Sequence, residues 1–294
     1  MIHKDIKKLI DSQISTQSVK PIEDDIIPYS CLFWTDQDGV LSYKSGENVC
    51  IPRVKTLHEK LNLINLPKNI SFLFLTHDYS DPVHYDDKHN FSLCFGKLNT
   101  QPFITIPNSH LLIGHVDNLL LEVKRFDIPT KQKQNQSIFA GGPNCDKDGA
   151  RLRYGISGID PKAHFYLLSN RPIISIQEQL QFLFNLNIDG HSLGYDRLYW
   201  QMASNSLPVY IERNKDIIQI HDILIKPNIH YLESTVESWQ SDFKEILKDV
   251  DKIENIIVNG KNFISEHFGH SAQHSSIEIL EYIINAIAKA QNTI

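Results

Sequence analysis

Short apolar runs that end at glycine or proline, alternating with helical patterns, constrain this chain more than any other feature. They fill residues 137 to 211. Ser137-Ile-Phe139 runs into Gly141 and Gly142, and a helical pattern covers about 149–157. Residues 164–168 read as a strand, 177–181 as a helix and 182–188 as an apolar strand ending at Asp189-Gly190. A helix near 195–204 and a strand over 207–211 follow. Strands alternating with helices predict a parallel sheet covered on both faces, an α/β fold.

The first half carries the same elements less regularly. Residues 70–75 read as a buried strand, 54–63 as a helix and 103–106 as a further strand. The polar stretch 129–136 lacks hydrophobic periodicity and is the candidate boundary between a domain over 1–128 and one over 129–274. The C-terminal third is helical. Phe243, Ile246, Leu247 and Val250 share one face, and Asn259-Gly260 reads as a stop signal. A last helix is predicted over 275–294, capped by Ser275 with Glu278 and packing back on the first domain through Leu280, Ile283, Ile284 and Ile287.

The 294 residues suffice for two α/β domains, and 41% hydrophobic with 22% charged residues is a folded composition. Nothing in the net charge of −6 predicts duplex DNA binding, which would call for a basic face. The start, MIHKDIKKLIDSQI, lacks the apolar core of a signal peptide, and no apolar run reaches the ~18 residues of a membrane span. The expected compartment is therefore the cytoplasm. The amphipathic start either packs in a core or touches a membrane surface. Cys31, Cys50, Cys94 and Cys145 form no CxxC pair and read as reduced thiols, with Cys31 and Cys94 buried.

Two junctions point to ligand chemistry. One is Phe139-Ala-Gly-Gly-Pro-Asn144, followed by Arg151 and Arg153. The other runs from Asn187 through Asp189, Gly190, His191 and Ser192 to Arg197. Glycine lets a backbone approach a ligand closely, and exposed N–H groups after a parallel strand attract phosphate oxygens. Arginine adds a planar fork suited to phosphate. Glycines also serve ordinary tight turns, so each junction alone is open to both readings.

Across residues 40–265 the chain resembles the CAP10-like glycosyltransferases, glycosyltransferase family 90. The run FLFNLNIDGHSLGYDRL (182–198) is similar to the family signature. Ala203-Ser-Asn-Ser-Leu-Pro-Val209 and Lys226-Pro-Asn-Ile-His-Tyr231 follow in the family's order. Upstream, 138–142, Leu75-Thr-His-Asp-Tyr-Ser-Asp-Pro82 and 43–50 resemble further family elements. The resemblance implies a GT-B-like fold, two Rossmann-type domains with parallel sheets facing a central cleft. It implies an inverting, metal-independent enzyme without a cofactor that moves a sugar, glucose or xylose, from a UDP-sugar to a glycan such as lipopolysaccharide.

By position, Asp78 matches the family's general base and Arg197 the arginine that meets the diphosphate. Backbone N–H groups at Gly190, His191, Ser192, Gly141 and Gly142 would complete the anion site. Asp189, Arg151, Arg153, Glu212 (for a ribose) and Lys226 are further donor-binding candidates, with His230 beside Lys226. Each has a plainer alternative: Asp78 as the cap of a turn with Asp81 as rival base, Arg151 or Arg153 in solvent, Lys226 and His230 fixing a loop. The chain departs from the family at Ala140, Gly142, Gly194 and Tyr195, and Arg151 is a candidate substitute for the charge missing at 140. Two readings from other classes remain. One is a metal-dependent hydrolase built on His77, Asp78 and Asp81, and the other a catalytically silent sugar-nucleotide-binding protein.

Overall fold

The structure, a computed structural model, describes residues 2–17, 28–76, 91–98, 100–141, 164–167, 174–189 and 196–292. In chain order the elements begin with α1 (Lys4–Ser15), β1 (Ser30–Thr35), β2 (Leu41–Ser45), α2 (Ile51–Leu61) and β3 (Ser71–Leu75). Next come β4 (Ser92–Cys94), β5 (Lys97–Leu98), β6 (Ile104–Thr105), α3 (Ser109–Leu112) and α4 (His115–Phe126). The middle holds β7 (Gln134–Gly141), β8 (His164–Leu167), α5 (Ile176–Gln179), β9 (Phe182–Ile188), α6 (Arg197–Ala203) and β10 (Leu207–Ile211). The chain closes with β11 (Ile217–Ile218), β12 (Leu232–Ser234), α7 (Trp239–Ile246), α8 (Val250–Phe268) and α9 (Ala272–Gln291). The protein is mixed α/β with parallel strands. No helix among the described residues is long and apolar enough to cross a membrane.

The chain divides into two compact units. The first comprises Met1–Ile113, Asp216–Leu224 and Ser271–Ile294; the second comprises Gly114–Lys215 and Ile225–His270. The first unit's main sheet has the order β2-β1-β3-β4-β6, antiparallel around β1 and parallel from β3 to β6. Asp36 closes the β1–β2 hairpin by accepting the Asp38 and Val40 N–H groups, both at 2.9 Å, and Gly39 takes the left-handed turn position at φ +85°. Phe33 stacks on Phe72 across β1 and β3, 5.6 Å between ring centres. Ile279, Leu280, Ile283, Ile284 and Ile287 on α9 are buried, and Gln291 fastens that helix to both backbone groups of Ser71. Helix α9 starts a turn earlier than its sequence signature. Ser271 caps it by accepting the His274 N–H, whereas the Ser275 hydroxyl donates to the Ser271 carbonyl. The break at Gly269 (φ +51°) sets that earlier start.

The second unit's sheet is wholly parallel, in the order β12-β10-β9-β7-β8. Phe184, Leu186 and Ile188 of β9 join a core with Leu207, Val209, Ile211, Trp239 and Phe243. Asn259-Gly260, read as a stop, lies inside α8. A Cβ at Gly260 would sit 3.1 Å from the Met202 carbonyl oxygen, so this glycine serves close packing on α6. The polar stretch 129–136 holds a short 3-10 turn (Thr130–Gln132) and the start of β7. Within it, Lys133 Nζ meets Asp127 Oδ1 at 2.6 Å and also donates to the Leu180 carbonyl. The Asn205 N–H reaches Asp127 Oδ2 at 2.6 Å, so buried charge anchors this stretch.

Candidate functional site

Numbered by the second unit's own strands from β7, the sheet order is 2-1-3-4-5, the doubly wound arrangement with one topological switch point. That point falls between β7 and β9. The chain leaves β7 for the β8 side and returns on the other side of β7, and it is outside the carboxyl ends at such a point that parallel sheets place their ligands. Here the strands also separate. Pairing between β7 and β9 ends at Ile138 opposite Asn185. Beyond it, β7 stays paired with β8 to Gly141, and β9 with β10 to Ile188.

Arg197, half-buried in the first turn of α6, reaches into this split. Its Nη2 donates to the Ala140 carbonyl at 2.5 Å, and its guanidinium lies 4.9 Å from the centre of the Phe139 ring. A Cβ at Gly141 would lie 2.6 Å from Phe139 Cζ and 3.3 Å from Arg197 Nη2. Glycine is needed here for space, so that ring and guanidinium can stack. The two junctions singled out in the sequence thus meet through Arg197. Beside it, Asp196 at the start of α6 pairs with His115 Nε2 at 3.1 Å, a contact the sequence did not signal.

The other expected residues divide into three groups. Gly141, Asp189, Arg197 and Glu212 gather at the carboxyl edge of the second unit's sheet. The buried Asp189 carboxylate accepts from the Tyr210 hydroxyl at 2.8 Å and the Asn214 N–H at 2.9 Å, so it braces the loop after β10. Glu212 follows β10 in the left-handed region at φ +51°, uncommon for a residue with a side chain, and its carboxylate accepts the Val236 N–H at 3.2 Å. Lys226 and His230 form a local turn. The Lys226 N–H donates to His230 Nδ1 at 2.9 Å, and the His230 N–H returns to the Lys226 carbonyl at 3.0 Å. Burial, and then the Lys226 charge, hold the His230 imidazole below its ordinary pKa. The Lys226 side chain itself is exposed.

Asp78, Gly142, Arg151, Arg153, Gly190, His191 and Ser192 lie outside the described residues, as do His77 and Asp81. The strand leading toward Asp78 is described. After β3, the Thr76 hydroxyl donates to the Tyr29 carbonyl (2.9 Å) and accepts the Cys50 N–H (3.1 Å), while Arg53 donates to the Thr76 carbonyl at 2.7 Å.

Asn185, Asn187 and Gln201 escaped assignment from sequence. The amide of Asn187 donates to Gln201 Oε1, and Gln201 lies one helical turn after Arg197 on the same face of α6. A signal was present for the two asparagines. Asn185 and Asn187 interrupt, at strand spacing, a run that a strand covered on both faces would otherwise fill with apolar residues.

No protein-family model matches the chain, and no curated protein matches it.

Proposed function

We propose that the second unit is the nucleotide-sugar-binding half of an inverting, CAP10-like glycosyltransferase, and that Arg197 meets the donor's diphosphate at the β7–β9 split. The observation that carries this is the position of Arg197: a guanidinium at the switch point of a 2-1-3-4-5 parallel sheet, where such sheets place their ligands. A guanidinium has five N–H donors in a fixed fork, suited to bridging phosphate oxygens. The first unit, with Asp78, is the acceptor-side half of a GT-B-like pair of Rossmann-type domains.

The acceptor hydroxyl oxygen attacks the anomeric carbon and passes its proton to the Asp78 carboxylate. The bond from that carbon to the diphosphate oxygen breaks with inversion, and the electron pair leaves on the UDP. Arg197 meets the charge that grows there, an interaction stronger in the transition state than in the ground state. The general base accounts for about 10²–10⁴-fold of the rate. The donor is UDP-glucose or UDP-xylose, and the acceptor a cytoplasmic glycan such as growing lipopolysaccharide.

The test is transfer or slow donor hydrolysis with both UDP-sugars, measured as released UDP. The unmodified protein releases UDP. Asp78→Asn retains UDP binding and loses release by at least about 100-fold. Equal release by both proteins removes Asp78 from the mechanism. Release by neither, with UDP still bound, leaves a sugar-nucleotide-binding protein in place of an enzyme.

A further inference from the structure

The floor of the β7–β9 split holds polar groups that the phosphate contact does not use. Asn185 is fully buried and Asn187 is 2% exposed, on the centre strand of a sheet with helices on its faces. Each has its Nδ2 engaged: Asn187 on Gln201, and Asn185 on the carbonyls of Gln179 (3.4 Å) and Phe182 (3.5 Å). Each has a buried Oδ1 without a hydrogen-bond partner among the described residues. A buried acceptor left unpaired is costly, and native proteins keep few of them. Two on one strand, two residues apart and so on the same face of β9, with Asn187 tied to the helix that carries Arg197, form a polar track leading inward from the split.

Asn187 lies nearer the carboxyl edge, two residues from Asp189, and its partner Gln201 is one turn below Arg197, about 5 Å along the helix. A group attached to a phosphate on Arg197 would be within reach of that position. An acceptor held there selects a hydrogen-bond donor. In a nucleotide sugar the donors adjoining the diphosphate are the hydroxyls of the ribose on one side and of the transferred sugar on the other.

We propose that Asn187, fixed by Gln201, is a specificity residue that accepts a hydrogen bond from a sugar hydroxyl flanking the diphosphate. This rests on the assignment of Arg197 to the diphosphate. It makes the Asn187–Gln201 pair a recognition device whose unpaired oxygen is satisfied when ligand binds. The cost of that oxygen in the free protein has a second consequence. Replacing both partners by apolar groups of similar shape leaves the free protein as stable as before, or more so.

The experiment is calorimetric titration of inorganic pyrophosphate, UDP and UDP-glucose into the unmodified protein, the double variant Asn187→Leu/Gln201→Met, and Arg197→Gln. The double variant binds pyrophosphate unchanged. It binds UDP roughly 3–10-fold more weakly if the ribose supplies the hydroxyl, or UDP-glucose alone more weakly if the transferred sugar does. Its unliganded melting temperature does not fall. Should the double variant fold poorly, Asn187→Ser, which withdraws the oxygen, carries the same binding expectation. Nucleotide affinities within twofold of the unmodified protein overturn the inference, and the oxygen then serves an internal water. If Arg197→Gln weakens all three ligands at the same time, the diphosphate assignment stands without it. If none of the three binds the unmodified protein, both fall.

Discussion

The Arg197 guanidinium lies over the ring of Phe139 and donates to the carbonyl of the very next residue, Ala140. One β7 segment thus supplies both a π-face and an acceptor to an arginine that follows β9. The contact spans the point where the two strands cease to pair. It stabilises a carbonyl at the parting of the strands and holds the guanidinium in one place, where a mobile arginine would lose entropy on meeting a ligand.

Gly141→Ala tests this stack. The added methyl falls 2.6 Å from Phe139 Cζ, so the ring has to move and the arginine with it. The expected outcome is a loss of about 1–3 kcal/mol of stability in urea unfolding, with weaker pyrophosphate binding. Unchanged stability and binding would show that ring and guanidinium are not coupled.

The Asp127–Lys133 pair predicts a large effect away from the site. Both side chains are buried, at 10% and 0% exposure, and burial lowers the Lys133 pKa although Asp127 opposes this. Lys133→Met leaves Asp127 buried without its cation and costs about 3–5 kcal/mol in urea unfolding. Adding Asp127→Asn to that variant recovers part of the loss, because the stranded charge is gone. A cost below 1 kcal/mol for Lys133→Met would contradict this.

His230 makes stability depend on pH. Its folded pKa lies below the ordinary 6.5 through burial and the neighbouring Lys226 charge, and Nδ1 accepts a backbone N–H that a protonated ring could not accept there. The unfolded chain therefore binds the proton more readily. This contribution to stability is complete above about pH 6.5 and is lost as the pH falls through the lower folded value. Urea midpoints measured from pH 7.5 to 5 should decline, and His230→Gln should flatten that part of the decline. An identical slope in the variant would remove His230 as its source.

Cys31 and Cys94 should resist thiol reagents. Burial raises their pKa to about 11 and about 12, so the reactive thiolate is nearly absent at pH 8. Peptide mapping after iodoacetamide treatment of the native protein should find both unmodified, and modified after unfolding. Labelling of either in the native state at the unfolded rate would contradict their burial.

The second unit's central strands were legible because their runs are apolar and end at a turn residue, whereas the polar start of β7 and the short β12 were not. The expected strands over 182–188 and 207–211 coincide with β9 and β10. Strand order was not legible, because it depends on which strand each crossover returns to. The position of the site between β7 and β9 follows from that order alone. Local signals misled where packing supplied a different reason for the same residue. Gly260 reads as a helix stop yet is a contact on Met202, and the polar residues before β7 read as a linker although Lys133 is buried against Asp127. The contacts of the Asp189 carboxylate with Tyr210 and Asn214 were announced by no local pattern. The base assigned to Asp78 rests on resemblance.

Calorimetric titration of UDP into the unmodified protein and into Arg197→Gln, both checked for equal unfolding midpoints, bears most directly on the diphosphate assignment. Losing hydrogen bonds from a charged donor should weaken UDP binding by roughly 10–150-fold. Equal affinity in the two proteins, or no binding of UDP by the unmodified protein, would contradict it.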